Sequence, residues 1–127
     1  MLAFCPFASV FPFEMQIYPK RLCADFRQAT GDEMRALAEA LKTCLLKWDR
    51  VLGPIAYNYI LYSAPNDSDI HGIREQHPLL DTYYLWHLEM FPRISRTAGF
   101  EWGTGYYINT VSPEAAAEAL REARVEP

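Results

Sequence analysis

Clusters of basic residues are missing from this sequence. Its 12 lysines and arginines are scattered among 16 acidic residues, giving a formal net charge of −4, so no basic face is offered to nucleic acid or an anionic membrane surface. A small polar ligand is the better expectation. Cysteine is scarce as well. Cys5, Cys23 and Cys44 are widely spaced, odd in number and in no Cys-x-x-Cys arrangement, which argues against a disulfide framework or zinc ribbon and for a reducing, cytoplasmic setting. No apolar run approaches the roughly 18 to 20 residues of a membrane span. The apolar opening, residues 1–13, lacks a basic start and contains Pro6 and Pro12, so it does not read as a signal peptide. There is no internal repeat, no Walker loop, no dinucleotide fingerprint and no Gly-x-Ser-x-Gly elbow around any serine.

What is present is apolar and aromatic. Hydrophobic residues make up 50% and aromatics 14% of 127 residues, enough for one folded domain over 1–127 with an aromatic-rich core. Residues 13–18 alternate Phe13, Met15 and Ile17 with Glu14, Gln16 and Tyr18 before Pro19, the pattern of a half-buried strand. Residues 22–26 predict a second extended piece. Thr30 followed by Glu33 is a capping box. Behind it Met34, Leu37, Ala38, Leu41, Leu45, Trp48 and Leu52 form one helical stripe that Gly53 and Pro54 end. Residues 57–62, rich in Tyr and Ile with poor alternation, predict a central strand buried on both faces. Residues 66–78 are polar and turn-rich, and predict a long surface loop.

The most informative stretch is 84–93. With period two, Tyr84, Trp86, Leu88 and Met90 take one face and Leu85, His87 and Glu89 the other. His87 and Glu89 would then point the same way, roughly 7 Å apart along the strand, where a metal or a phosphorylated ligand is one reading. A structural histidine beside an exposed glutamate is the other. Gly99, Gly103 and Gly105 within seven residues predict a loop close to a ligand, or a tight turn, followed by an extended 106–108. Pro19-Lys20-Arg21, and Arg93 with Arg96, are candidates for anionic groups. Ser112, Pro113 and Glu114 open an alanine-rich helix reaching about Arg124. The sum is an α+β domain with a mainly antiparallel sheet.

Pro6-Phe7-Ala8-Ser9, Phe11-Pro12-Phe13-Glu14, Pro19-Lys20-Arg21, Tyr57-Asn58-Tyr59 and Ala64-Pro65 come first in a recognisable order. Trp86-His87-Leu88-Glu89, Pro92-Arg93, the run from Ala98 to Gly105 and Pro113-Glu114-Ala115-Ala116 follow. Together they resemble the C-terminal half of galactose-1-phosphate uridylyltransferases over nearly the whole chain. The resemblance implies a histidine-triad-like fold, a mainly antiparallel sheet with two helices. It also implies transfer of a nucleoside monophosphate between a nucleotide sugar and a hexose-1-phosphate through a covalent intermediate on the histidine of a His-Pro-His motif in an N-terminal half. Here the only His-Pro is His77-Pro78, followed by Leu79. By the same resemblance Arg93, Glu101, Trp102, Gly103, Thr104, Gly105 and Tyr106 contact the sugar phosphate, His87 and Glu89 hold a structural zinc or iron ion, and the protein is a homodimer. Leu22 and Leu85 stand where relatives often have histidine, which thins the metal set to two. The alternative expectation is a non-catalytic nucleotide-binding or assembly module of the same fold. A self-sufficient histidine-triad hydrolase would require His87 to act alone.

Overall fold

A computed structural model describes residues 1–65 and 71–125. Four strands, β1 (Leu2–Phe4), β2 (Met15–Tyr18), β3 (Tyr57–Tyr62) and β4 (His87–Pro92), form an antiparallel sheet in the order β1-β2-β4-β3. Two long helices, α1 (Gly31–Leu52) and α5 (Pro113–Glu122), supply the apolar partners of one sheet face. Three short helices, α2 (Ile73–Gln76), α3 (Leu80–Tyr83) and α4 (Gly99–Thr104), lie in the connections. The α+β class and the two long helices follow the sequence expectation.

The caps explain why α1 starts and stops where it does. Thr30 Oγ1 accepts from the Glu33 amide at 3.2 Å while the Glu33 carboxylate accepts from the Thr30 amide at 2.8 Å, satisfying two of the donors a helix start leaves orphaned. At the other end Gly53, at φ 77°, takes a backbone shape that costs a residue with a side chain more. α5 is capped by Ser112 Oγ, which accepts from the Ala115 amide. Its last carbonyls, Leu120 O and Ala123 O, accept from Lys47 Nζ at 2.7 and 2.8 Å. That cation on α1 ties the two long helices together.

Register divides the sheet into two unlike faces. Met15 pairs with Met90 and Ile17 with Leu88, and these four pack under Cys44 and Trp48 of α1 and Leu120 of α5. Each fully buried apolar side chain there stabilises the fold by roughly 1.5–3 kcal/mol. Trp48, 1% exposed, also donates its Nε1–H to Phe13 O at 3.1 Å, holding the turn that enters β2. The opposite face carries Gln16, Tyr18, Asn58, Ile60, Tyr62, His87, Glu89 and Phe91, paired across the strands. The residues of that face belong to neither buried apolar cluster.

Several local expectations are corrected. Residues 22–26 are no sheet strand: the segment crosses the ends of β3 and β4, where Ala24 O accepts from the Ala64 amide and Cys23 O from the Trp86 amide. Single bonds to two different strands leave no ladder to build, and a 3-10 helix over Phe26–Gln28 follows. β3 is an edge strand exposed along its whole length instead of a central buried one. Its poor alternation reflects apolar residues on two open faces. β4 begins at His87, because Tyr83 belongs to α3, and β2 begins at Met15 after Phe13 turns with φ 60°. β1 was not foreseen. Of the predicted loop over 66–78, residues 66–70 lie outside the described residues and 73–76 form α2. The glycine-rich stretch is the helix α4, and 106–108 is not a strand.

Candidate functional site

His87 sits at the centre of an aromatic ladder laid across the open face. Register places Tyr62 of β3 directly opposite it, and the two rings stack at 4.8 Å and 14°. From the other side Tyr18 of β2 stacks at 4.5 Å and 7°, and Phe4 of β1 stacks on Tyr18 at 5.6 Å. The four rings span all four strands. His87 Nδ1 lies 3.0 Å from Leu85 O; a carbonyl only accepts, so Nδ1 is the donor. The ring is thus fixed in plane and rotation.

Glu89, two residues on, faces the same way between Gln16 and Ile60. Burial and the nearby Glu14 carboxylate push its pKa up, opposed by His87 and by a hydrogen bond from Tyr62. Glu14 is itself buried, accepting from the Val10 and Phe11 amides at 2.8 and 3.1 Å. A carboxyl held above its ordinary value beside an oriented imidazole makes this face a candidate functional site.

The Arg93 end of this face is concave. A cavity of about 580 Å³ is lined by Phe11, Asn58, Phe91, Arg93, Ser95 and Arg96, among others. Among the described residues neither Arg93 nor Arg96 is in an ion pair, so both guanidiniums remain available to an anion. Phe11 stacks on Phe91 at 4.8 Å and meets the edge of Tyr107 at 5.7 Å. That contact places Tyr107, in the chain leaving α4, against Phe11 beside the face that bears His87 and Glu89.

The reason for a helix is local. Glu101 Oε2 accepts from the Ala98 amide at 2.9 Å, and Gly105, at φ 75°, closes the other end with its amide donating to Glu101 O. Of the three glycines only Gly105 uses a positive φ. Thr104 Oγ1 donates to Phe100 O and accepts from the Tyr106 amide, which fixes the exit. Trp102 and Tyr106 are left 80% and 74% exposed, so α4 and its exit present rings to solvent while Glu101 and Thr104 hold their geometry.

Not every predicted residue converges. Arg21 is engaged elsewhere, gripping the Glu33 carboxylate through two hydrogen bonds of 2.8 and 2.9 Å. His71 and His77 are exposed on the connection before β4. The described residues include no group of three or more His, Cys, Asp or Glu side chains placed to hold a metal. His87 and Glu89 make two donors, short of the three or four that zinc takes, and Leu22, half exposed, and Leu85 add none. The residues described therefore do not fit a zinc or iron ion on their own. Residues that period-two reading overlooked are Tyr18 and Tyr62, which flank His87, and Asn58, opposite Phe91. An antiparallel pairing of 57–62 with 87–92, had it been assumed, would have found Asn58 and Tyr62.

An open-faced antiparallel sheet backed by two helices, with the imidazole on its central strand, is a histidine-triad-like α+β fold. Comparison with known proteins narrows the class. No protein-family model matches the chain. It is 36% identical over 92% of its length to ADP-glucose phosphorylase of Arabidopsis thaliana, and 32% identical over 98% to galactose-1-phosphate uridylyltransferase of Thermotoga maritima. Among solved structures, the Arabidopsis ADP-glucose phosphorylase with bound ADP-glucose superposes with a TM-score of 0.84 at 33% identity over 97% of the chain. A uridylyltransferase gives 0.75 at 30% identity. The chain is similar over nearly its whole length to a galactose-1-phosphate uridylyltransferase and an ADP-glucose phosphorylase. It spans 31% and 39% of the length of the two curated relatives, a share that fits the C-terminal part of such enzymes. No helix described is long and apolar enough to cross a membrane.

Proposed function

We propose that this chain is the C-terminal, histidine-triad-like part of a cytoplasmic hexose-1-phosphate nucleotidyltransferase, with the nucleophilic histidine in an N-terminal half. The observation that carries the reading is the match itself: nearly the whole chain aligns with about a third of each relative, and its three histidines form no His-Pro-His. In this reading Arg93, with Glu101, Trp102, Gly103, Thr104, Gly105 and Tyr106 on and after α4, forms the sugar-phosphate-binding segment. A hexose-1-phosphate suits it chemically, since the free guanidiniums of Arg93 and Arg96 answer a phosphate and the exposed Trp102 and Tyr106 answer the apolar side of a pyranose. The names of the relatives point to nucleotide sugars as co-substrates. Edge strand β3 and the open face supply the contacts to the N-terminal half and to a second subunit.

The alternative, a non-catalytic nucleotide-binding or assembly module, draws on Leu22 and Leu85 and on the confinement of His87 between two tyrosines. One pair of measurements separates the two. The chain is incubated with UDP-glucose and ADP-glucose and weighed by mass spectrometry, and ¹⁵N-labelled chain is titrated with glucose 1-phosphate. No covalent adduct is expected, with amide shifts concentrated over residues 93–107. A nucleotidyl-histidine adduct would overturn the division of labour, and silence toward the sugar phosphate would favour the assembly module.

A further inference from the structure

On the helix side of the sheet, remote from His87 and Arg93, a cavity of about 730 Å³ opens between β1, α1 and α5. Four of its lining residues carry sulfur: Met1, Cys5, Met15 and Cys44. Met15 and Cys44 are buried in the principal core, and Met1 and Cys5 pack against it. These residues come from three separate stretches of chain and are gathered only by the fold. Arg121 of α5 lines the same cavity, and among the described residues it is in no ion pair.

We propose that Cys5, Cys44 and Met15, with Met1 beside them, form a binding site for one soft monovalent metal ion of the Cu(I) type. The chemistry follows from the donor set. Thiolates and thioethers select Cu(I) over harder cations, and Glu39, the carboxylate in the same cavity wall, is a hard donor that a soft ion leaves aside. Binding proceeds as two thiols plus one Cu(I) giving a bis-thiolate complex and two released protons, with no change of oxidation state. The complex carries one negative charge, and the Arg121 guanidinium in the cavity wall is its counter-charge. In the free chain both thiols stay protonated at neutral pH. Burial is the main cause, and it raises the Cys44 pKa to about 11 with a further contribution from Cys5. A soft cation therefore captures them where a general electrophile does not. This site is independent of the function proposed above.

The test uses the reduced chain without oxygen, titrated with Cu(I) held by bicinchoninate and, in parallel, with Ag(I) as a redox-inert substitute. One ion per chain is expected, with ultraviolet sulfur-to-copper absorption that is lost with either thiol. Cys5→Ser and Cys44→Ser should each weaken binding by more than about 100-fold, and Arg121→Met by about 10-fold. Met15→Leu, which nearly conserves volume, should weaken it without loss of fold. Cys23 is the internal control, since its Sγ donates to Asp25 O at 3.3 Å and it does not line this cavity. Circular dichroism checks each variant, and the half-buried Cys5 carries the test where Cys44→Ser does not fold. The proposal is overturned if the chelator strips the metal from the wild-type chain, if Cys5→Ser binds as tightly, or if occupancy depends on Cys23.

Discussion

Glu33 and Glu89 are carboxylates pushed in opposite directions. The Arg21 guanidinium and the Thr30 amide hold Glu33 down at about 2, whereas burial and Glu14 hold Glu89 above the usual carboxylate value. For Glu33 the depressed folded pKa means its contribution is complete above the unfolded value of about 4.3 and is lost as pH falls toward 2. Glu33→Gln keeps an acceptor for Thr30 and removes the charge, so the variant should be less stable than wild type at neutral pH. In urea titrations the difference should shrink between about pH 4.3 and 2. For Glu89 the sign reverses. A raised folded pKa penalises the folded state once pH exceeds the unfolded value, so Glu89→Gln should leave stability unchanged at pH 3 and increase it at pH 7. A residue whose removal stabilises the fold is one retained for another reason, consistent with a place in the site. A uniformly less stable Glu89→Gln would show that the carboxylate serves packing alone.

At the scale of elements, legibility tracked whether the determining signal was local. α1 and α5 were readable because Thr30, Glu33, Gly53, Ser112 and Pro113 are caps that act within a turn of themselves. β4 was readable because Trp86, Leu88 and Met90 alternate with residues of a face that stays open. α4 was not, since glycines at 99, 103 and 105 advertise a loop while the bond from the Ala98 amide to Glu101 decides for a helix. β3 was misplaced because an apolar strand awaiting a partner and one buried in a sheet have the same composition. The same distinction between near and far signals singles out Lys47, whose two bonds to carbonyls more than 70 residues away are invisible to pattern reading. Lys47→Met keeps the stem and removes those bonds. It should cost about 1.5–3 kcal/mol, the range for hydrogen bonds to a charged group, and hydrogen exchange should report faster amides in the last turn of α5 with α1 little changed. Equal loosening of both helices would show that Lys47 acts through packing.

For the whole molecule, what matters is the surface the fold leaves uncovered. Tyr57, Tyr59, Ile60, Leu61 and Tyr62 are each at least 36% exposed on an edge strand, with Phe100, Trp102 and Tyr106 adding rings on and beyond α4. An apolar edge with unpaired backbone groups is a template for another strand, and a net charge of −4 gives only modest repulsion between copies. Sedimentation velocity should therefore find the chain associating as its concentration rises. Ile60→Lys places a charge in the middle of that edge, on the open face and away from the core, so it should change stability by no more than about 0.5 kcal/mol. It should also shift the chain toward monomer. If α4 or α5 carried the association instead, Ile60→Lys would leave the sedimentation profile as it was, and the exposed rings of β3 would need another explanation. Supplying the portion of a relative that this chain does not match distinguishes the two cases further: a complex that excludes self-association, and that Ile60→Lys weakens, identifies β3 as the edge that portion completes.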